Sequence, residues 1–281
     1  MSKLAFIGGG SMAEAIISGI ISRGVILPPD ICVMNKSDKE RLNFLSNRYG
    51  IQTTEQVEEL MQDAEIIFLA VKPKDVYTAL SNVKKYFKQD ALLISVAAGV
   101  SIDSLQQIVG NNVAIIRTMP NTSAAVGRSA TAMSKNNNVT HEQSLLASKF
   151  LETVGIVTTV TEEQLDAVTG LSGSGPAYIY YLVEAMEQSA IETGLDKDIA
   201  KRLIVQTLMG AAEMLSLSDK DPVILRKEVT SPGGTTEAGI NILTSHGVQQ
   251  AFIHCIKEAT KQSKRLGEQL SLEIQSKSMP L

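Results

Sequence analysis

Two glycine-rich segments contain the residue types and spacings in this sequence that could do chemistry. Residues 8–13 read GGGSMA, and residues 228–240 read EVTSPGGTTEAGI between two segments of helical character. Glycines with the spacing G-x-G-x-x-A, placed between a strand and a helix, are typical of loops that bind a dinucleotide pyrophosphate. Glycines and threonines at the start of a helix can bind a small anion through backbone N–H groups and hydroxyls. The sequence therefore predicts a dinucleotide site and a second site for a small ligand.

The first segment has residues that suit a close approach of phosphates. Gly8 permits a tight turn, and Gly10 lets a pyrophosphate approach the backbone. Ser11 and Met12 open the following helix, whose N-terminus would face the phosphates. We therefore expect these four residues to bind the cofactor. The alternative is that Ser11 and Glu14 form a capping box and that the glycines merely start a helix.

The choice of dinucleotide should show at the end of the second predicted strand, where the sequence reads Met34-Asn35-Lys36-Ser37. An acidic residue at this point binds the ribose hydroxyls of NAD. Here Asn35, Lys36 and Ser37 offer hydrogen-bond donors and a positive charge to a 2′-phosphate. We predict NADPH as the cofactor, with NADH possible, and expect Asp38 to cap the next helix. The alternative is that Lys36 is a solvated lysine and that Asp38 takes the acidic role.

Strand-like and helical segments alternate over the first 160 residues. The strand-like segments are short apolar runs: KLAFI, DICVMN, AEIIFLAVKP, ALLISVAAGV, VAIIRTMPN and IVTTV. Near-continuous apolar strands indicate a parallel sheet covered by helices on both faces. After about residue 160 the segments are long and amphipathic, as in GPAYIYYLVEAMEQSAIETG. We predict an α/β fold with a Rossmann-type, doubly wound dinucleotide-binding domain at 1–160 and an all-helical dimerisation and substrate domain at 161–281.

Loops that follow the predicted strands should meet at the carboxyl edge of the sheet, where such folds bind ligands. Three of these loops read AVKPK, AAGVS and MPNTS. Their small or backbone-presenting residues suit a flat cofactor ring, and we expect cofactor contacts from Ala70, Val71, Lys72, Ala97, Ala98 and Asn121. The alternative is that the first five form tight strand-to-helix turns and that Asn121 caps a turn.

The residue types missing from the first long helix bear on the reaction type. A hydroxy-acid dehydrogenase would place a lysine or histidine there for proton transfer, and residues 171–196 contain neither. The three histidines, His141, His246 and His254, lie in helical or helix-end contexts and are expected to be surface or packing residues. Reduction of a carbonyl requires a proton donor, whereas a protonated imine is already electrophilic. An imine substrate therefore fits better than a hydroxy acid.

The second glycine-rich segment could hold such a substrate. Pro232 fixes one turn, and we expect Gly233 and Gly234 to leave backbone N–H groups unobstructed at a helix start, which attracts a carboxylate. Thr235 and Thr236 add hydroxyls at the first helical turn, and we expect one of them to cap the helix and the other to be free to meet a ligand. The alternative is a helix junction with threonine caps and no ligand.

Composition and charge argue against several classes of function. The 281 residues are 44% hydrophobic and carry a formal net charge of −4 without basic clusters, which gives no electrostatic platform for nucleic acid or an anionic membrane. The apolar run at the N-terminus is too short for a signal peptide or a spanning helix, and we expect a cytoplasmic protein. Cys32 and Cys255 fit neither a disulfide framework nor a metal site, and both are expected to be buried.

The helical half carries more apolar and small side chains than its few helices are expected to bury. They concentrate in the segment DIAKRLIVQTLMGAAEMLSL and comprise Leu203, Ile204, Leu208, Gly210, Ala211, Ala212 and Leu215. An apolar surface of this kind marks a protein interface. We therefore predict an obligate homodimer through this half of the chain.

The motifs together resemble those of pyrroline-5-carboxylate reductase. The resemblance rests on LSGSGPAY and VTSPGGTT, preceded by FIGGGSMAEAI, AVKP and AAGV, and it spans nearly the whole chain. SPGGTT before an apolar helix is its most specific part. The resemblance implies NAD(P)H-dependent reduction of (S)-1-pyrroline-5-carboxylate to L-proline, the last step of proline synthesis, by a Rossmann domain followed by a helical dimerisation domain. It also suggests that dimers assemble into a larger homo-oligomer.

The resemblance further implies roles for individual residues. Thr236 corresponds to the threonine whose hydroxyl meets the ring nitrogen of the substrate, which leaves Thr235 as the expected cap of the helix. The backbone around Gly234 and Thr235 corresponds to the cradle of the substrate carboxylate. Glu162 falls at an acidic substrate contact, and Asp219 is a weaker, catalytic candidate for proton supply. The full set of expected substrate contacts is Glu162, Ser174, Ser231, Gly233, Gly234, Thr235 and Thr236.

Two other functions stay open from the residues alone. One is a hydroxy-acid dehydrogenase of the same architecture, against which the missing helix lysine counts. The other is a noncatalytic dinucleotide sensor, in which SPGGTT is only a helix junction and the cofactor regulates association. Oxidation of NADPH by the imine would separate these possibilities.

Overall fold

The computed structural model describes residues 3–278. Its strands form one sheet and are, in chain order, β1 (Lys3–Ile7), β2 (Ile31–Met34), β3 (Gln52–Thr54), β4 (Ala64–Leu69), β5 (Leu92–Ser95), β6 (Ala114–Met119), β7 (Ser129–Lys135) and β8 (Gly155–Thr159). In space the order is β3-β2-β1-β4-β5-β6-β7-β8. The order reverses between β1 and β4, which is the switch point of a doubly wound sheet. The predicted α/β fold is confirmed.

All six strands expected from apolar runs are present, and the structure has two further strands that the sequence did not predict. β3 has only three residues, QTT, at one edge of the sheet. β7 reads SATAMSK, whose small polar residues lack the apolar signature of a buried strand, although Ser129 and Thr131 are buried and their hydroxyls lie 3.0 Å apart in a hydrogen bond. β7 runs antiparallel to β6, so the expectation of a parallel sheet fails at this one pair.

The α-helices alternate with the strands and then continue alone. In chain order they are α1 (Ser11–Ser22), α2 (Lys39–Tyr49), α3 (Val57–Met61), α4 (Val76–Val83), α5 (Ile102–Val109), α6 (His141–Leu151), α7 (Leu165–Val168), α8 (Gly175–Glu192), α9 (Lys197–Leu217), α10 (Pro222–Glu228), α11 (Thr235–Ser245) and α12 (Val248–Ser278). None of the helices within residues 3–278 is long and apolar enough to cross a membrane.

The starts of α1 and α2 differ in how they are capped. Asp38 accepts a hydrogen bond of 2.8 Å from the backbone N–H of Arg41 and caps α2, as predicted. The alternative capping box of Ser11 and Glu14 is wrong, because Gly10 occupies the N-cap position and Ser11 is already helical. Within residues 3–278 no side chain caps α1, which keeps the helix start open to a ligand.

Two apolar cores cover the two faces of the sheet. On one face, under α1, α2 and α6, the rings of Phe6 and Phe68 stack with centroids 4.7 Å apart, and Phe150 meets Phe68 edge-on at 6.3 Å. The other face buries Leu80 of α4 and Leu105 of α5. This two-sided burial explains why most of the strands read as continuous apolar runs.

The chain divides into two compact units. The sheet unit comprises the residues up to Ser174 together with those from Lys257 onwards, and the helical unit comprises Gly175–Ile256. The second half of α12 therefore belongs to the sheet unit. The sequence predicted two domains that follow one another along the chain, at 1–160 and 161–281. That division stays a prediction.

Several kinds of contact hold the end of α12 within the sheet unit. Ile274 is buried in the core that α4 and α5 cover, and the Ser104 hydroxyl donates a hydrogen bond of 3.0 Å to Ser271 Oγ. Gly267 packs so closely on the loop after β5 that an added Cβ would lie 2.9 Å from the carbonyl oxygen of Gly99. Apolar burial, a side-chain hydrogen bond and close packing of a glycine on the backbone together fix this part of α12.

The helical unit buries few of its apolar side chains. Among residues 175–256 the buried ones are Ala200 and Ile204, although Ile204 was among the residues predicted to form a surface for a partner. Leu203, Met209 and Leu215 of α9 are 56%, 60% and 50% exposed. The unit therefore presents a large apolar surface, as the sequence predicted.

Candidate active site

The glycine-rich loop between β1 and α1 has the geometry of a phosphate-binding turn. Gly8 has φ +102°, and a Cβ there would lie 2.6 Å from the carbonyl oxygen of Ala70, so glycine is required. Gly10 is exposed, and a Cβ added there would meet no heavy atom of residues 3–278 within 4 Å beyond Gly10 itself and its chain neighbours. Beyond it, Ser11 is exposed and Met12 half-buried at the uncapped start of α1. An anion can approach this helix start closely.

The loop after β2 holds the residues expected to select the cofactor. Lys36 and Ser37 are exposed, and Asn35 is half-buried. The backbone N–H of Ser37 donates to Asn35 Oδ1 at 3.4 Å, which directs the side-chain carbonyl into the turn. Since Asp38 caps α2, its carboxylate is already engaged. This favours the interpretation in which Asn35, Lys36 and Ser37 meet the ribose end of the cofactor, although their contacts stay predictions.

The loops after β1 and β4 adjoin each other at the carboxyl edge of the sheet. Ala70 donates its backbone N–H to the carbonyl oxygen of Ile7 at 2.9 Å, and Val71 Cγ1 lies 3.0 Å from the position of a Cβ on Gly8. Lys72 is exposed. Ala70 and Val71 therefore lie beside the glycine turn, and the contacts of all three residues with the cofactor stay predictions.

The loop after β5 is a tight turn at the same edge. Ala97 is buried and donates its backbone N–H to Ser95 Oγ at 3.3 Å, whereas Ala98 is exposed. Gly99 follows with φ +74°, a conformation that favours glycine. Of the two alanines predicted to contact cofactor, Ala98 is therefore the one whose side chain is open to a ligand.

Asn121 follows β6 and is buried, with both ends of its amide engaged. Its Oδ1 accepts from the backbone N–H of Ser123 at 3.1 Å, and its Nδ2 donates to the carbonyl oxygen of Ser172 at 3.0 Å. It thus caps a short 3-10 helix and ties it to the GLSGSG segment. These contacts favour the turn-capping interpretation over a side-chain contact with cofactor, which stays a prediction.

Glu162 lies in the sheet unit and is held by two donors. Its Oε1 accepts from the backbone N–H of Ile102 at 2.7 Å and from a guanidinium nitrogen of Arg117 at 3.0 Å. The Arg117 side chain is only 9% exposed, and a buried charge of this kind needs a partner. Sequence reasoning missed Arg117, although a single arginine within the apolar strand AIIRTM was a usable signal. A substrate contact of Glu162 stays a prediction beside this structural role.

In the helical unit, the SPGGTT segment leads directly into α11. Gly233 has φ +71°, and Gly234 is the N-cap residue. The expectation that Thr235 caps α11 is wrong, because Thr235 is the first helical residue and no side chain of the described residues caps this start. Thr235 and Thr236 are both exposed in the first turn.

The backbone donors of this segment differ from those expected. The N–H of Gly233 donates to Glu237 Oε2 at 2.8 Å, and the N–H of Gly234 donates to the carbonyl oxygen of Ser231 at 3.0 Å. The expectation that both glycine amides are unobstructed is therefore wrong. The first-turn amides of Thr235 and Thr236 are the better candidates for anion binding, since a helix leaves its first N–H groups without helical partners.

The remaining predicted residues lie at the ends of helices. Ser174 is half-buried before α8 and donates its backbone N–H to Thr169 at 2.8 Å. Ser231 and Asp219 are exposed, the latter between α9 and α10. Their substrate and proton-transfer roles stay predictions.

The histidines and cysteines lie outside the loops and helix starts described above. His141 begins α6, His246 follows the last turn of α11, and His254 lies within α12, as the sequence predicted. Cys32 is half-buried, and burial raises the pKa of its thiol to about 11. The expectation that Cys255 is buried is wrong for the single chain, in which it is exposed.

Comparison with known proteins identifies the two parts of the chain. Residues 162–266 match the family model for pyrroline-5-carboxylate reductase dimerisation, and residues 3–99 match that for NADP oxidoreductase, coenzyme F420-dependent. The chain is 46% identical over 271 residues to pyrroline-5-carboxylate reductase 2 of Bacillus subtilis, covering 96% of this chain and 97% of that protein. It is 37% identical over 266 residues to pyrroline-5-carboxylate reductase of Arabidopsis thaliana, covering 95% of this chain and 96% of that protein.

Solved structures agree over nearly the whole length. A pyrroline-5-carboxylate reductase from Coxiella burnetii has a TM-score of 0.88 and 37% identity, covering 94% of this chain and 98% of that one. Plasmodium falciparum pyrroline carboxylate reductase, solved with NADP bound, has a TM-score of 0.86 and 30% identity, covering 95% of this chain and 98% of that one. Since relatives that are 46% and 37% identical match it over nearly their whole length, the chain belongs to the pyrroline-5-carboxylate reductase family.

Proposed function

We propose that this protein reduces (S)-1-pyrroline-5-carboxylate to L-proline with NADPH, the last step of proline biosynthesis, and that NADH can replace NADPH. The observation that carries the proposal is the uncapped start of α11 after SPGGTT, with Thr236 exposed in its first turn, inside the segment that matches the family model. The absence of lysine and histidine from residues 171–196 agrees with an imine substrate.

The residues at the carboxyl edge of the sheet fit a nicotinamide dinucleotide. Gly10 leaves space where a side chain would stand, and the start of α1 offers backbone donors to the pyrophosphate. Lys36, with Asn35 and Ser37, binds the 2′-phosphate in this proposal. When bound, the reduced cofactor supplies a hydride to the imine carbon and leaves oxidised.

The helical unit orients the substrate in this proposal. The amides of Thr235 and Thr236 at the start of α11 bind the substrate carboxylate, while the Thr236 hydroxyl hydrogen-bonds the ring nitrogen. The nitrogen keeps the proton that made the imine electrophilic, so the product is a secondary amine. Asp219, exposed between α9 and α10, is the weaker candidate for supplying that proton.

The proposal includes a homo-oligomeric assembly and a cytoplasmic location. The exposed apolar face of the helical unit supports a homodimer, and further association of dimers follows the family resemblance. Two free cysteines suit a reducing compartment, in agreement with a cytoplasmic protein.

Turnover tests the proposal directly. Purified protein is mixed with NADPH and either (S)-1-pyrroline-5-carboxylate or the oxo-acid precursors of 2- and 3-hydroxy acids, and NADPH absorbance is followed. We expect oxidation with the imine alone. Oxidation with an oxo acid instead would favour a hydroxy-acid dehydrogenase, and tight NADPH binding without turnover of any imine would favour a dinucleotide sensor.

A further inference from the structure

Arg41, in the first turn of α2, links three segments around the glycine-rich loop. Its Nε donates to the carbonyl oxygen of Gly9 at 2.7 Å, and one terminal nitrogen donates to Glu14 Oε2 at 2.5 Å. Its own backbone N–H is held by Asp38. One side chain thus connects the loop, α1 and α2.

The guanidinium of Arg41 is held in a defined orientation. It lies 5.3 Å from the centroid of the Phe44 ring, and Glu14 accepts a second hydrogen bond of 2.8 Å from Tyr49 through its other carboxylate oxygen. Burial raises the pKa of Glu14, but the hydrogen bonds from Tyr49 and Arg41 outweigh it, so the net pKa is lowered. At neutral pH the carboxylate is therefore charged, and it fixes the planar fork of the arginine.

The bond to Gly9 constrains the peptide that faces the cofactor. In a trans peptide the C=O and the following N–H point in opposite directions. The Gly9–Gly10 peptide is trans, so holding the Gly9 oxygen against Arg41 turns the Gly10 N–H to the opposite side. A run of three glycines has little intrinsic preference for one orientation, and the hydrogen bond from Arg41 supplies an anchor from outside the loop.

We propose that Arg41 is a positioning residue for cofactor binding, which holds the Gly9–Gly10 peptide in the orientation that receives the dinucleotide pyrophosphate. The inference rests on the proposed function in that the loop binds a nicotinamide dinucleotide. Because NADPH and NADH share the pyrophosphate, Arg41 affects both cofactors equally. In this it differs from Lys36, which is assigned to the 2′-phosphate alone.

Direct binding measures this effect without any substrate. Dissociation constants for NADPH and for NADH are determined by calorimetry on the full-length protein and on Arg41→Ala. We expect both constants to rise by a similar factor of about 10, since a charge-assisted hydrogen bond that orders the loop is lost. Arg41→Lys, which keeps the charge but not the planar fork, should fall between the two proteins.

Arg48→Ala is the matched control on the same helix. Arg48 lies 5.6 Å from the Phe44 ring and 5.5 Å from the Tyr49 ring, so its removal disturbs the same packing without removing the bond to Gly9. We expect Arg48→Ala to shift the melting temperature while leaving both dissociation constants unchanged.

The outcomes separate this proposal from its competitors. If Arg41→Ala weakened NADPH alone, Arg41 would be a 2′-phosphate contact, and the proposal would be wrong. If both cofactors bound unchanged and the melting temperature fell as in Arg48→Ala, Arg41 would contribute only to packing, and the proposal would again be wrong. Failure of the proposed reaction would show in the turnover assay with wild-type protein and would leave the binding comparison intact. In an active enzyme, KM for the cofactor should rise while kcat changes little.

Discussion

The sheet unit and the helical unit of this protein differ in how far they bury their own apolar side chains. In the sheet unit, apolar side chains of every strand from β1 to β6 except the short edge strand β3 are buried within the chain, with the rings of Phe6 and Phe68 stacked between layers. In the helical unit, residues 175–256 bury Ala200 and Ile204 and leave side chains such as Tyr181 and Leu217 more than 70% exposed. The sheet unit has a core of its own, whereas the helical unit requires another surface to cover it.

The division extends to chemistry. The groups that suit the cofactor lie on loops of the sheet unit, and the threonines that suit the substrate lie at a helix start in the helical unit. A substitution in a cofactor loop should therefore change cofactor binding, and a substitution of Thr236 should change turnover. The predictions below use matched pairs of substitutions to test that separation.

The largest expected effect belongs to Thr236 in the helical unit. Thr236→Ala removes the hydroxyl proposed to orient the ring nitrogen, which should lower kcat by about 10- to 1000-fold. NADPH affinity and melting temperature should change little. Thr235→Ala is the control, and since Thr235 does not cap α11, its effect on both kcat and stability should be small. Full turnover of Thr236→Ala, together with a lower melting temperature, would make the segment a structural junction.

A smaller effect is expected from Lys36 in the sheet unit. Lys36→Glu places like charge against the 2′-phosphate and should weaken NADPH binding by about 100-fold, with far less effect on NADH. The control is Lys39→Glu, which makes the same charge change on α2 at a lysine paired with Glu55 at 2.9 Å. Dissociation constants for both cofactors give the answer. Equal losses for NADPH and NADH would show that the triplet of Asn35, Lys36 and Ser37 does not select the cofactor.

The exposed apolar face of the helical unit predicts a homodimer. Introducing one charged side chain into that face should weaken the dimer. Met209→Glu on α9 should raise the dimer dissociation constant by about 10-fold or more, because the charge would be desolvated at an apolar interface. Leu145→Glu is matched in exposure, at 57% against 60%, but lies in the sheet unit and should leave the dimer unchanged. Light scattering across a dilution series distinguishes them. A folded, active wild-type monomer at micromolar concentration would contradict the predicted dimer.

The smallest effect concerns the part of α12 that belongs to the sheet unit. Gly267→Ala would bring a Cβ to 2.9 Å from the Gly99 carbonyl oxygen, and such overpacking costs about 1–3 kcal/mol. In Gly239→Ala, the new Cβ meets no atom of the described residues within 4 Å outside its own stretch of α11, and the helix should gain up to about 1 kcal/mol from helix propensity. Denaturant unfolding measures both. A gain for Gly267→Ala would mean that the loop after β5 yields without cost.

The sequence predicted best what depends on neighbouring residues. The apolar runs of β1, β2, β4, β5 and β6 identify strands covered on both faces, and the glycine spacing at 8–13 identifies the turn that follows β1. Asp38 as a cap follows from its place before a helix. Strands β3 and β7 escaped because one is short and the other is built from small polar residues, so neither has the periodic signal that such reasoning requires.

The sequence predicted which residues belong to the candidate site, but not their hydrogen-bond partners. Gly233 and Gly234 were expected to offer free amides, and their amides are instead engaged by Glu237 and Ser231. Glu162 was expected at the substrate and is held by Arg117 and the start of α5. These partners are separated by up to 60 positions in the chain, and spacing along the sequence carries no information about them.

By itself the sequence determined the fold class, the two glycine-rich segments and the family resemblance, because turn residues and apolar periodicity act within a few positions of one another. Only the tertiary structure decided that Arg41 anchors Gly9, that Arg117 and Glu162 pair, and that the end of α12 packs on Gly99. A long side chain can reach any surface that the fold brings near it. Its partner is therefore set by the packing of helices on the sheet, which no local pattern records.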